Sequence, residues 1–252
     1  MLSVRDIRVT YANGVTALHP TSLAFQPGQF TVLLGTSGAG KSTLLRSLNG
    51  LVRPSGGEVE TGEQASIFAS RASLRAHRRH TAMVFQQHHL IGRLTALQNV
   101  LTGRLSMHGA LRSLAPFPRA DRLIALEALK RVGLAERALD RADQLSGGQQ
   151  QRVGIARAMA QEPKLILADE PVASLDPATA VSVLADLHRI CGEDGITAIV
   201  SLHQIDLARQ FADRIIGLSL GRVVFDGRPE QLNAAALQRV YSSTRPPLSQ
   251  AA

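Results

Sequence analysis

One cysteine, no tryptophan and two tyrosines stand in 252 residues. The lone Cys191 excludes an internal disulfide and suits a reducing compartment. So few large aromatics leave scant platforms for stacking bases, which argues against single-stranded nucleic acid as a partner. No apolar run approaches the roughly 18 residues that a membrane-spanning helix requires. The opening residues, Met1-Leu2-Ser3-Val4-Arg5-Asp6, mix charges and lack the apolar centre of a signal peptide. Any membrane role therefore has to come through a partner. Internal repeats and low-complexity tracts are missing as well.

What is present suffices for a real core: 44% of the residues are hydrophobic, enough for one large or two small lobes. The 28 basic and 20 acidic side chains leave a net charge of +8, which permits polyanionic partners without choosing among them. Basic residues cluster only at Arg71, Arg75, Arg78 and Arg79, with His77 and His80. The plainer reading of that cluster is a solvated helix face rather than a docking patch.

Gly35-Thr36-Ser37-Gly38-Ala39-Gly40-Lys41-Ser42, followed by Thr43, fits the phosphate-loop pattern G-x-x-x-x-G-K-[ST]. The run Phe30–Leu34 before it is short, apolar and β-prone, and Thr43–Asn49 after it reads as a helix that Gly50 ends. Glycines let the backbone curl until successive N–H groups point at phosphate oxygens, and the helix N-terminus adds partial positive charge. Lys41 would reach the β- and γ-phosphates, and the Ser42 hydroxyl would hold Mg²⁺. The loop binds nucleotide.

Either side of this loop the pattern alternates. Strand character runs over Val4–Tyr11 and Leu18–Phe25, with an Asn13-Gly14 turn between them and a Pro27-Gly28 turn after. Gly56-Gly57 precedes further strand-like sequence, and Ala82–Phe85 is a short apolar strand running into Gln86. From about Arg93 helical periodicity takes over; in Asp121–Val132 the residues Leu123, Leu126, Leu129 and Lys130 are spaced for one face, with Gly133 as terminator. Strands resume at Lys164–Ala168 and Ile196–Val200, and Arg214–Leu218 with Arg222–Phe225 suggest a hairpin about Gly221. Alternating strands and helices imply a mainly parallel sheet.

Two further stretches carry chemistry. Leu165–Ala168 is an apolar strand ending in Asp169-Glu170, where a phosphate-loop enzyme places the carboxylate that completes the Mg²⁺ site. Asp169 fits that part, and Glu170 would stand where attacking water must be polarised. Leu145-Ser146-Gly147-Gly148-Gln149 opens another helix, and a polar residue with two glycines there makes a second anion seat. Two phosphate seats with one carboxylate pair suggest two half-sites.

Together these three motifs resemble the ATP-binding cassette family, and the likeness extends from Ile7 to about Tyr241. It implies further roles. Tyr11 matches the aromatic that stacks on adenine, and Gln86 matches the glutamine that touches Mg²⁺ or water and faces a membrane subunit. Ser174-Leu175-Asp176 matches the loop crossing a dimer interface, and Asp176-Pro177 can also cap a helix. His203 matches the histidine that contacts the γ-phosphate. The resemblance implies an α/β phosphate-loop fold: a mainly parallel sheet, an N-terminal antiparallel β subdomain and an inserted helical subdomain. Residues 2–245 would form one domain, with 2–92 and 160–245 as nucleotide-binding core, 93–159 as helical part and 246–252 as a flexible tail. It implies ATP and Mg²⁺ as ligands, with Ser146, Gly147, Gly148 and Gln149 acting on a second copy's nucleotide in a head-to-tail homodimer.

A narrower likeness, to the ATP-binding subunit of bacterial phosphonate importers, rests on Asn99–Leu105, the stretch to Arg119, Arg141–Gln144 and Ser201-Leu202-His203-Gln204. Gln204 stands where many cassettes have Asp, a departure those subunits share. The expected partners are integral membrane permease subunits and, indirectly, a periplasmic solute-binding protein, at the cytoplasmic face of the inner membrane. An importer for phosphate or a polar amino acid is the first alternative. A soluble cassette acting on nucleic acid is the second; the chain has no room for the coiled-coil insertion or tandem cassette usual there.

Overall fold

Strand pairing sets the architecture. The computed structural model describes residues 1–62, 66–87, 89–108 and 116–241; the expected 246–252 tail lies outside the described residues. Antiparallel pairing of β1 (Leu2–Thr10) with β2 (Thr16–Phe25) and β4 (Gly56–Thr61) makes a three-stranded sheet ordered β2-β1-β4. The larger sheet comprises β3 (Phe30–Leu34), β5 (Thr81–Val84), β6 (Leu165–Asp169), β7 (Thr197–Leu202), β8 (Arg214–Ser219) and β9 (Arg222–Gly227). Its order is β5-β6-β7-β3-β8-β9, parallel except for β9, which closes the expected hairpin with β8.

Between the strands lie α1 (Lys41–Leu48), α2 (Arg71–Arg79), α3 (Ala96–Leu101), α4 (Arg119–Arg131), α5 (Gly147–Met159), α6 (Pro177–Glu193) and α7 (Ile205–Phe211), and α8 (Ala234–Tyr241) follows β9. The pleat divides the core in two. Val32, Leu34, Ile166, Ala168, Ala198 and Val200 face a cluster built with α3 to α7. Leu33, Leu165, Leu167 and Ile199 face the other way, onto Leu44, Leu45 and Leu48 of α1 and the three-stranded sheet. β3 and β6 are buried along their whole length, as a parallel sheet covered on both faces requires.

The helical face expected from Leu123 and Leu126 is wrong. In α4 the buried positions are Asp121, Ala125, Ala128 and Leu129, whereas Leu123 is 59% and Leu126 40% exposed. The leucine spacing traced one stripe, but small alanines let α4 pack closely against α3 and α5, and their small size hid the true face. Asp121 is buried because Arg104 donates to it at 3.0 Å and His108 donates to its second oxygen; Arg104 also reaches the Ala160 carbonyl at 2.9 Å. Burial opposes the Asp121 charge, but the hydrogen bonds from His108 and Arg104 outweigh it and hold the carboxyl below its ordinary range.

The basic helix α2 is exposed as expected in that no residue of it is buried, yet it is not merely solvated. His77 Nε2–H donates to the Leu48 carbonyl at 2.7 Å, and Arg78 donates to Asn49 at 3.2 Å and Gly50 at 2.6 Å. These carbonyls lie at and just past the C-terminus of α1, where a cation also complements the helix dipole. On α6, Cys191 is buried, and burial pushes its thiol up to about 12. Among the described residues no helix is long and apolar enough to cross a membrane.

Two expectations follow. Leu129→Ala should cost about 2–5 kcal/mol and Leu123→Ala within roughly 0.5 kcal/mol, read from urea unfolding followed by circular dichroism. Asp121→Asn should destabilise by about 1–3 kcal/mol at pH 7, because the buried Arg104 loses its buried carboxylate partner and keeps only the exposed Glu162 and the Ala160 carbonyl. A depressed carboxylate contributes above its unfolded pKa, about 3.9, and loses that contribution as pH falls through the lower folded value. The gap between wild type and Asp121→Asn should therefore narrow below pH 4.

Candidate nucleotide site

Because β3, β6 and β7 run parallel in near-flush register, their C-terminal ends open at one edge. Leu34 lies opposite Leu202 and Asp169 opposite Ser201, while Val84 of β5 lies opposite Ala168. The phosphate loop, the carboxylate pair, His203 and Gln86 all leave strands at this edge, where open α/β sheets bind ligands.

The loop wraps the N-terminus of α1, with Gly40 as N-cap at φ 103°. A Cβ there would sit 2.7 Å from the Ala17 carbonyl, so only glycine lets the loop lie against β2. Lys41 is 3% exposed and donates back to the Gly35 and Thr36 carbonyls at 2.8 and 3.1 Å, with Glu170 Oε1 at 3.7 Å. Burial lowers its pKa, and the charges of Glu170 and Asp169 pull against that. Residues Ser37, Gly38, Ala39, Gly40, Lys41, Ser42 and Thr43 line a cavity of about 960 Å³ together with Glu170.

Ser42 Oγ donates to Asp169 Oδ1 at 2.8 Å. Two hard oxygens at that separation suit neighbouring corners of an octahedron of Mg–O bonds of about 2.0–2.1 Å, so the pair fits Mg²⁺ completed by phosphate and water. Among the described residues no group of three or more His, Cys, Asp or Glu side chains could hold a metal, which leaves this sparse, oxygen-only arrangement. Glu170 carries φ 50°, a left-handed backbone that costs a non-glycine residue about 1–3 kcal/mol and is characteristic of functional turns. His203 Nε2 meets Glu170 Oε1 at 2.5 Å, and Tyr241 of α8 donates its hydroxyl to the His203 carbonyl at 3.1 Å.

Tyr11 is 40% exposed rather than in the core, and its hydroxyl lies 3.3 Å from Thr43 Oγ1, beside the loop. Gln86 is exposed past the end of β5 and is not among the residues lining the cavity over the phosphate loop.

Ser146 caps α5, accepting from Gln149 N–H at 3.3 Å while Gln149 Oε1 accepts from Ser146 N–H at 2.9 Å. Asp176 caps α6 with Pro177 at its first position, and the hydrogen bonds it accepts from Thr179 hold its carboxyl low. The two caps are neighbours, since a Cβ on Gly148 would meet Thr179 Cγ2 at 2.4 Å. Ser146, Gly147, Gly148, Gln149 and Asp176 do not line the cavity over the phosphate loop.

Sequence reasoning missed several groups of the site. Val15–Ala17, His19, Ser219–Arg222 and Arg239 line the same cavity, and Arg46 approaches Asp169 Oδ2 at 3.8 Å. Only the glycine of the β8–β9 turn gave any signal of this, because the rest arrives through tertiary packing.

Comparison with known proteins agrees with this geometry. The family described as ABC transporter matches residues 18–173. The phosphite import ATP-binding protein PxtA of Stutzerimonas stutzeri is 63% identical over 98% of this chain and 90% of its own length. A phosphonates import ATP-binding protein of Cupriavidus metallidurans is 60% identical over 96% of this chain and 87% of its own. Among solved structures, the dimeric post-hydrolysis ATP-binding cassette MJ0796 bound to ADP and Pi superposes with a TM-score of 0.80 at 37% identity, over 91% of this chain and 99% of that one. CbiO1 of Clostridium perfringens, part of the ABC transporter complex cbiONQ, superposes with a TM-score of 0.82 at 30% identity, covering 94% and 92%. The glycine loop, the carboxylate pair at the strand edge and the separate capped helix thus sit in a chain that belongs to the ABC transporter family, as one of its ATP-hydrolysing cassettes.

Proposed function

We propose that this chain drives a bacterial importer of phosphonates or of small phosphorus oxyanions related to them. The solute class rests on the names of relatives at 60% and 63% identity, one a phosphonates importer and the other a phosphite importer. The solute itself would meet the permease and a periplasmic binding protein, with this chain peripheral at the cytoplasmic face of the membrane.

The observation that carries the mechanism is the separation of two phosphate seats in one chain. The cavity over Lys41 and Ser42 holds one, and the helix opened by Ser146 holds the other outside that cavity. In a head-to-tail pair, residues 93–159 of one copy would bring Ser146, Gly147, Gly148 and Gln149 over the nucleotide cradled by residues 2–92 and 160–245 of its partner. Asp176, beside that helix, would reach the same junction. Tyr11 stacks on adenine, the loop amides from Gly35 to Thr43 cradle the phosphates, and Lys41 compensates their charge. Ser42, Asp169 and Gln86 would hold Mg²⁺, which would supply charge neutralisation to the bound phosphates. Glu170 orients the attacking water and His203, hydrogen bonded to it, faces the γ-phosphate. The reaction is ATP and water to ADP and phosphate, and the protein's part is positioning and electrostatic stabilisation.

Glu170→Gln should bind ATP with near-normal affinity, lose turnover by roughly 10²-fold or more, and collect as an ATP-bound dimer on size-exclusion chromatography. Wild-type hydrolysis by that variant would remove Glu170 from the mechanism. Gln86→Ala should lower transport in proteoliposomes several-fold more than basal hydrolysis, because Ser42 and Asp169 would keep the metal site while the exposed position past β5 that would face a membrane subunit is lost; equal losses would argue against that coupling role. Reconstituted with its permease and solute-binding protein, the complex should raise its ATPase rate with phosphonate or phosphite and not with a polar amino acid.

A further inference from the structure

Ser201 sits on β7 directly opposite Asp169 of β6 and is fully buried. It shares the sheet face of Leu165, Leu167 and Ile199, the face covered by α1 and hence by Ser42. Its hydroxyl accepts from Glu170 N–H at 2.9 Å and donates to Asp169 Oδ1 at 3.1 Å. One hydroxyl thus ties together the peptide that turns out of the strand and the carboxylate that precedes it. The turn needs such a tie, because Glu170 leaves β6 in a left-handed backbone at φ 50°. The single hydroxyl proton, committed to Asp169, aims an oxygen lone pair at the Glu170 amide.

We propose that Ser201 is a positioning residue for ATP hydrolysis: it fixes the Asp169 carboxylate and the Glu170 turn relative to each other, and acts on the γ-phosphate only through them. The proposal rests on the reading of Asp169 as metal holder and Glu170 as the residue that orients water. It explains why a polar residue occupies the apolar interior of a central strand, where Ala198, Ile199, Val200 and Leu202 surround it in sequence. It also separates two tasks. The hydrogen bonds of Ser201 go to Asp169 and Glu170 rather than to the phosphate loop or Lys41, so nucleotide binding should depend on it little, whereas the aim of Glu170 should depend on it strongly.

The test is full-length Ser201→Ala beside a second pair, Ser201→Thr and Ser201→Val, which share a shape and differ in the hydroxyl. Ser201→Ala should lower kcat by tenfold to about 10²-fold, the scale of a small misplacement of a reacting group. ATP affinity measured in the presence of a chelator should stay within about threefold, and the thermal midpoint without nucleotide should fall by only a few degrees, the cost of one amide left unpaired; that binding-against-kcat split marks positioning. With Mg²⁺ and ATP the variant should accumulate as a nucleotide-loaded dimer on size-exclusion chromatography. Ser201→Thr should hydrolyse at least several-fold faster than Ser201→Val. Turnover of Ser201→Ala within twofold of wild type, equal rates for the Thr and Val variants, or parallel loss of affinity, thermal midpoint and kcat would each overturn the proposal. Glu170→Gln run alongside separates the failures: an active Glu170→Gln sinks the underlying mechanism, while an inactive one beside an active Ser201→Ala sinks this inference alone.

Discussion

Oδ1 of Asp169 accepts from two hydroxyls on different elements, Ser42 at the start of α1 and Ser201 at the end of β7. Those bonds exist because β6 and β7 are flush at their C-terminal ends and α1 packs on the face toward which both Asp169 and Ser201 point. A one-residue slip between the strands would turn one of these side chains to the opposite face and open the site. Register here is enforced by burial: β3 and β6 are covered on both sides, so any slip would strip apolar side chains from two cores at once. The chemistry at the edge is therefore held by the same hydrophobic burial that holds the sheet.

Much of this was legible from residue order, for a definable reason. Phosphate binding by backbone amides demands glycines at fixed spacing next to a strand and a helix, so Gly35–Ser42 announces itself. A carboxylate pair after an apolar run is weaker alone, and became specific only beside that loop. What stayed hidden depends on residues distant in the chain. Arg46 and Ser201 are ordinary residues in their own segments and acquire meaning only opposite Asp169. The face of α4 was misread because leucines were counted as inward and alanines were not weighed, whereas close helix packing had put Ala125 and Ala128 inside.

The two helix caps show how a structural device and a binding device can be one feature. Ser146 and Asp176 each satisfy an amide of their own helix, so both would be defensible as caps and nothing more. Their adjacency through Gly148 and Thr179 gathers two helix N-termini on one surface, outside the cavity that holds the phosphate loop. In the proposed head-to-tail pair these helix ends would face the partner's nucleotide, and assembly would then be a condition of hydrolysis.

The thiol of Cys191, buried in α6 and pushed up to about 12, also has a practical bearing. At neutral pH such a group stays protonated, and thiolate is the species that reacts with maleimides and iodoacetamides. A cysteine introduced on the surface can thus carry a fluorophore or spin label without first replacing the native one, so the approach of two copies can be followed in an otherwise unaltered chain.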